Sequence, residues 1–401
     1  MELDLFFEIH QKATEGVSPT FKRYLFSEIE WQERLIGIVG PRGVGKTTLL
    51  LQHYLEKYGS VKKCLYVSCD QVQFSNIGIF NLGKEYFQMG GEALIFDEIH
   101  KYPLWTQEIK NLTDVYKNKK ILLSGSSSIA FSKGIGDLSR RVAPFSLHGL
   151  SFREYLNLTQ NVHFDPVSLG EIIENHIEMS EKICKVVQPL PEFKKYLKSG
   201  YYPFFLEGEK TFQQKLMNVI EKVISEDIPT LFSISQAKIP TLRKMLWLVA
   251  SSPPFSPNIE KISSGLNLSK EYTYKFFEYL QTAGLMQFLR SFQKSHKLVR
   301  KPEKIFIADP NLLESIVGSI QLEGSVGAVR ETFFLNQVKL KHSVFSHPNA
   351  DFQVDNLVFE VGGPSKDGNQ IVREKNAFLV LDQQEHGYKN RIPLYLFGFL
   401  Y

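Results

Sequence analysis

A chain of 401 residues exceeds what one hydrophobic core ordinarily organises, so two to four domains are expected. With 43% hydrophobic and 22% charged residues, 31 Phe and 17 Tyr, the composition is that of a soluble globular protein with material for several cores. A net charge of +4 neither demands nor excludes nucleic acid, and the sequence has no apolar run of membrane-spanning length, so no membrane partner is expected.

The chain opens on Met1, Glu2, Leu3 and Asp4, acidic where a secretion signal would be basic, which leads to a cytoplasmic expectation. Residues 3–12 and 21–29 are amphipathic and predict a helical lead-in to Trp31 that packs beside the site that follows. That site is announced by the apolar run 35–39 and then Gly40, Pro41, Arg42, Gly43, Val44, Gly45, Lys46, Thr47 and Thr48. A buried strand, a glycine-rich turn and a helix start in that order satisfy the phosphate-binding G-x-x-x-x-G-K-[ST] pattern at every fixed position. The glycines let several N–H groups face one point, and the helix N-terminus adds partial positive charge there. Lys46 is expected to reach the β/γ-phosphates of ATP or ADP, with the Thr47 hydroxyl ligating Mg2+.

Residues 63–68 read as a second strand and 80–89 as a helix ended by Gly90 and Gly91. The apolar strand 92–98 then ends in two carboxylates. Asp97 is expected in the Mg2+ coordination shell, and Glu98 is expected to polarise a water for in-line attack on the γ-phosphate. The next strand, 121–123, runs into Ser124, Gly125 and Ser126; either serine is a candidate to sense the γ-phosphate or hold the attacking water. Arg140 and Arg141 precede a further strand, 143–147, where an arginine could stabilise transition-state charge in its own subunit or a neighbour's. Strands alternating with helices predict an α/β fold: a parallel P-loop NTPase sheet with helices on both faces and ligands at the strands' C-terminal ends. Cys64, Cys69 and Cys184 lack metal-ligand spacing and read as inert core thiols.

The residues 96–105 (Phe96, Asp97, Glu98, Ile99, His100 through Trp105), 124–127, Arg141 with Val142, and 150–156 together resemble a prokaryotic family of AAA-type P-loop ATPases. The resemblance implies an AAA core (residues 1–150), a helical lid (151–235), a winged helix (236–322) and a small α/β C-terminal domain resembling restriction endonucleases (323–401). It implies Asp97 as the Mg2+-site acid, Glu98 as the catalytic glutamate, Ser124 or Ser126 as sensor and Arg141 as the arginine finger. Arg140 stands where the family often carries glycine.

The later segments are consistent with that order. Residues 151–235 show apolar residues at helical spacing, and Tyr201, Tyr202, Phe204 and Phe205 read as core aromatics around a Gly-Pro turn. Residues 259–282 predict a helix-turn-helix with Tyr272, Phe276, Phe277 and Leu280 facing inward. Arg290, Lys294, Lys297, Arg300, Lys301 and Lys304 make the following wing basic, a candidate contact for nucleic-acid phosphates. Near the end, Asp351 and Glu360 resemble the metal-binding acids of a nuclease-like strand pair. Gly362 stands where the assisting lysine belongs, leaving only Lys366 or Lys375 to reach in, so nuclease activity is not expected. The function expected is Mg2+-dependent ATP binding and hydrolysis that moves the winged helix and C-terminal domain. A nucleotide-gated switch, or a nucleic-acid-binding protein with slow or partner-dependent hydrolysis, is the alternative, with a protein partner or a homo-oligomer open.

Overall fold

Short apolar runs become strands here because they are covered on both faces, so no alternation with polar residues is needed. The computed structural model describes residues 2–125, 138, 141–292, 302–320 and 325–401. Ser126, Arg140, Lys294, Lys297, Arg300 and Lys301 lie outside the described residues. The chain falls into two compact units, Met1–Gly149 and Leu150–Tyr401.

In the first unit, β1 (Leu35–Val39), β2 (Cys64–Ser68), β3 (Ala93–Asp97), β4 (Lys120–Gly125) and β5 (Ala143–Ser146) form a parallel sheet in the order β2-β3-β4-β1-β5. β1 and β3 are buried along their whole length. The edge strand β5 exposes alternate residues. Cys64 and Cys69 are buried, and burial pushes both thiols up, which keeps them protonated and inert.

The lead-in departs from the helical expectation. Its first half is the helix Glu2–Thr14, which covers the edge strand β2. There the Tyr66 N–H, which has no strand neighbour on that side, donates to His10 Nδ1 at 2.9 Å. The second half is helical only at Leu25–Glu28, and Phe21 to Arg23 are irregular. Two side-chain demands hold that stretch open: Gln52 donates to the Ser18 and Phe21 carbonyls, and the buried Arg23 reaches three further carbonyls.

The second unit begins with helices Phe152–Thr159 and Leu169–Val186, each opened by a reciprocal capping box, Ser151 with Glu154 and Ser168 with Glu171. Tyr201, Tyr202 and Phe205 are buried, and the Tyr202 hydroxyl donates to Asp309 at 2.8 Å. Helices Ile259–Gly265 and Lys270–Thr282 follow, the second capped by Ser269. Its inward face is Thr273, Phe276, Phe277 and Leu280, a clean helical stripe. Tyr272, expected inward, is 45% exposed, and the Lys238 and Lys275 ammonium groups lie over its ring.

The sequence reading separated the wing from the C-terminal strands; the structure joins them. β6 (Met286–Ser291) and β7 (Lys304–Ile307) form the hairpin, and β6 also pairs in parallel with β8 (Val344–His347) through Arg290 and Ser291. With β9 (Ala350–Val354), β10 (Leu357–Gly362), β11 (Ala377–Leu381) and β12 (Arg391–Pro393), they make one mixed sheet of seven described strands, β12-β11-β10-β9-β8-β6-β7. A parallel pairing between strands over 50 residues apart leaves no local signature, which is why a boundary near residue 322 looked natural. Among the described residues no helix is long and apolar enough to cross a membrane.

Burial lowers His10, His53 and His148 to about 4 each, His53 also under Lys120 and His148 under Arg23. A histidine held neutral in the fold but titrating near 6.5 when unfolded takes up its proton only on unfolding as the pH drops between those values. Its contribution is therefore complete above about 6.5 and is lost as the pH falls toward 4, at most about 3 kcal/mol per residue. Denaturant midpoints followed by tryptophan fluorescence should fall over that window. His10→Gln, which keeps an acceptor for the Tyr66 N–H without a titrating group, should show a shallower fall than the unmodified chain.

Candidate active site

β1 lies between β4 and β5, and the chain leaves β1 toward β2 on one side and β4 toward β5 on the other. Loops that diverge in this way open a crevice at the strands' C-terminal ends, the usual ligand position in such sheets. The glycine-rich loop 40–45 stands at that crevice, and the helix Lys46–Lys57 starts directly behind it. Gly45 takes φ 98°, a conformation that other residues adopt only at a cost. Gly40 is needed for a different reason: a Cβ there would lie 2.1 Å from the Leu147 carbonyl oxygen. Lys46 is buried and folds back on the loop, donating to the Gly40 and Pro41 carbonyls at 3.0 Å each.

Asp97, at the end of β3, is 3% exposed and receives three hydroxyls. Thr47 donates to Oδ2 at 2.6 Å, Tyr66 donates to Oδ2 at 2.9 Å, and Ser124 donates to Oδ1. Burial and then the Asp97 charge push the Tyr66 phenol up, so it remains a donor. Ser124 in turn accepts the Glu98 N–H at 3.1 Å. Glu98 sits in the left-handed region at φ 51°, unusual for a side-chain-bearing residue. Three cationic or ionisable groups surround its carboxylate: Arg42 at 3.8 Å, Lys46 at 4.0 Å and His100 at 3.6 Å. Thr47 and Asp97 bring hard oxygens together, the donor type that suits Mg2+.

The structure thus brings Lys46, Thr47, Asp97, Glu98 and Ser124 into one cluster at the crevice. Arg141 is elsewhere. It is ion-paired with Asp114 at 3.1 Å. It stands two residues before Ala143, which is in register with Ile36 near the start of β1. That is the opposite end of the strands from the loop, since β1 runs from Leu35 to Val39 before reaching Gly40.

Sequence reasoning missed three contributors. Tyr66 lies between apolar Leu65 and Val67 inside a strand, and nothing local marks its hydroxyl. His100 follows the acidic pair and faces Glu98. Arg23 is 6% exposed and donates to Val44 of the loop at 2.6 Å and to His148 and Gly149 at 2.7 and 2.8 Å. Two of its three acceptors lie more than 120 residues away, beyond any sequence window.

In the second unit, Asp351 and Glu360 lie on the neighbouring antiparallel strands β9 and β10, joined by Glu331 from the helix Val326–Val338. Lys304 pairs with Asp351 at 3.2 Å and Glu331 at 3.4 Å, so it is drawn into this cluster and away from the basic wing. Lys366 pairs with the buried Glu360 at 2.5 Å, while Lys375 is exposed. Of the two lysines expected to be able to reach in, Lys366 does so and Lys375 does not. A Cβ at Gly362 would lie 2.8 Å from Lys366 Cβ and Cγ, so the glycine makes room for the Lys366 stem. Burial and then Asp351 push Glu331 up to about 7, against the pull of Lys304. Among the described residues no group of three or more histidine, cysteine or acidic side chains is arranged to hold a metal ion.

Residues 32–156 match a family described as an AAA domain, and residues 190–322 match a family described as a domain of unknown function. An uncharacterized protein of Methanocaldococcus jannaschii is 27% identical over 371 residues, spanning 85% of this chain and 78% of its own length. AMPPCP-bound DnaA from Aquifex aeolicus aligns over 69% of this chain and 87% of its own at 13% identity, with a TM-score of 0.27. The Hsp104–ADP complex of S. cerevisiae aligns over 68% and 41% at 13% identity, with a TM-score of 0.29. Structural likenesses this distant carry no argument about function. The family match and the five-stranded parallel sheet agree that the first unit is similar to AAA-type P-loop domains.

Ser124 is fully buried and serves Asp97 as donor and the Glu98 N–H as acceptor. Ser124→Ala strips a buried carboxylate of one donor and removes the acceptor that Ser124 offers the Glu98 N–H, which costs about 1 to 3 kcal/mol. A corresponding drop in the denaturant midpoint at unchanged slope is expected; a midpoint within error of the unmodified chain would mean that the relay does not hold the two acids.

Proposed function

We propose that the first unit binds ATP with Mg2+ and hydrolyses it, and that this chemistry drives a conformational change in the second unit. The observation that carries the reading is the convergence of Lys46, Thr47, Asp97, Ser124 and Glu98 at the crevice of the parallel sheet. The loop N–H groups and Lys46 bind the phosphates, with Gly43 and Gly45 supplying the turn. Thr47 and Asp97 are the residues that would hold Mg2+, directly or through its water shell, and the ion supplies neutralisation of phosphate charge. Glu98 accepts the proton of the attacking water, and Ser124 fixes the backbone from which Glu98 projects. The pairing of Arg141 with Asp114, at the end of the strands away from the loop, favours a role toward the nucleotide of a neighbouring copy over its own.

The contacts of Glu98 with Arg42, Lys46 and His100 also favour a second reading, a nucleotide-gated switch in which hydrolysis is slow until a partner or a second copy engages. No nucleolytic role is assigned to the second unit, because Lys304 and Lys366 already neutralise its acids. Binding to nucleic acid through the wing would have to rest on residues other than Lys304.

ATP turnover decides the main reading. Lys46→Ala should abolish nucleotide binding, and Glu98→Gln should retain binding while reducing turnover by about 100-fold or more, the range expected on removing a general base. Equal turnover in all three chains would sink hydrolysis at this site; tight ADP retention with very slow turnover in the unmodified chain would select the switch. If Arg141 acts across copies, mixing inactive Arg141→Ala with inactive Glu98→Gln should restore part of the turnover. No recovery on mixing assigns Arg141 to its ion pair instead.

A further inference from the structure

We infer that Arg23 is a positioning residue for the phosphate loop: its guanidinium fixes the Val44–Gly45 peptide so that the Gly45 N–H faces the phosphates. This rests on the nucleotide reading of the loop and extends it to a residue outside the motif. The argument begins with the peptide plane. In a trans peptide the C=O and the following N–H point in opposite directions, so fixing the Val44 carbonyl fixes the Gly45 N–H. Arg23 Nη1 donates to that carbonyl at 2.6 Å. Gly43 and Gly45 flank Val44 at φ 81° and 98°, and glycine holds such a conformation loosely by itself. An external restraint is therefore needed at the peptide between two glycines, and Val44, fully buried, supplies an apolar anchor without orienting its own carbonyl.

Arg23 is suited to the task. It is itself only 6% exposed, its charge does not titrate, and its planar fork reaches three acceptors at once. Nη2 donates to the His148 and Gly149 carbonyls at 2.7 and 2.8 Å, the last two residues of the first unit. The same stretch meets the loop again at Leu147, whose N–H donates to Val39 at 2.7 Å and whose carbonyl closes over Gly40. Arg23 is held in turn from its own side: Gln52 of the helix behind the loop donates to the Ser18 and Phe21 carbonyls at 2.7 and 2.8 Å, and the Tyr24 hydroxyl donates to Ser146 at 3.1 Å. Lysine cannot replace it, because one ammonium cannot hold three carbonyls in the fork geometry.

The test uses the full chain, Arg23→Lys and Arg23→Ala, with two readouts. Hydrogen exchange of the loop 40–47 in protein without added nucleotide should accelerate about tenfold in Arg23→Lys and more in Arg23→Ala, with exchange in β3 unchanged. Titration with a fluorescent ADP should weaken roughly 10- to 100-fold in the same order, while the turnover rate at saturating ATP stays within about threefold. A residue with a merely structural role would instead lower β3 protection and maximal rate together, and that result overturns the proposal. Unchanged loop exchange in both variants overturns it as well. An unmodified chain that binds no nucleotide defeats the nucleotide reading separately, and the exchange result still decides whether Arg23 holds the loop.

Discussion

One buried carboxylate organises the first unit. A buried carboxylate needs hydrogen-bond donors, and Asp97 receives three hydroxyls from three different elements: Tyr66 of β2, Ser124 of β4 and Thr47 of the helix behind the loop. The C-terminal ends of β2 and β4 and the N-terminus of that helix, with the end of β3, line the crevice. The hydrogen bonds that make the charge tolerable therefore set the spacing of the groups proposed to do chemistry. Ser124 carries the constraint one step further, since the oxygen that donates to Asp97 also accepts the Glu98 N–H and so fixes the second acid relative to the first.

How far this was legible in the sequence follows from the range of each interaction. The loop 40–47 announces itself because turn, lysine and helix start are adjacent in the chain, and Asp97 and Glu98 because an apolar strand ending in acids is conspicuous. Ser124 was legible only by its place at the end of the next strand. Tyr66, His10 and Arg23 were not, because each acts on a group in another element and resembles its neighbours locally. The Tyr66 hydroxyl looks like strand aromaticity, and Arg23 looks like one more surface cation ahead of a short helix. The position of Arg141 before a strand, together with the family resemblance, suggests a nucleotide contact. Only the register of β5 with β1 shows which end of the sheet it occupies.

The second unit shows the same limit on a larger scale. Its helices were legible from periodicity, and the buried stripe of Lys270–Thr282 differs from the expected one by a single turn position, Thr273 inside and Tyr272 outside. The joining of the wing hairpin to the C-terminal strands was not legible, since it depends on one parallel pairing of β6 with β8. That pairing has consequences for charge. It brings β7, and with it Lys304, into the sheet that carries Asp351, so a cation counted toward a basic wing becomes the counter-ion of two acids. Gly362 and Lys366 carry the same lesson in miniature: a glycine that reads as the loss of a lysine is the space through which another lysine reaches Glu360.

The two acids of the first unit are held by opposite means, and the difference bears on how the site can work. Asp97 is satisfied by neutral hydroxyls, which need not be displaced for it to meet a cation. Glu98 faces Arg42, Lys46 and His100 at 3.6 to 4.0 Å from a left-handed backbone that costs about 1 to 2 kcal/mol to maintain. Arg42 and Lys46 belong to the loop proposed to bind a polyphosphate. Coulomb attraction to a phosphate chain of several negative charges exceeds attraction to one carboxylate at similar distance, so a polyphosphate bound there would compete with Glu98 for the same two side chains. In the proposed reading, phosphate bound along the loop would loosen the contacts that hold the Glu98 carboxylate while leaving its backbone tied to Ser124, and the acid could then meet a water without moving the strand that carries it.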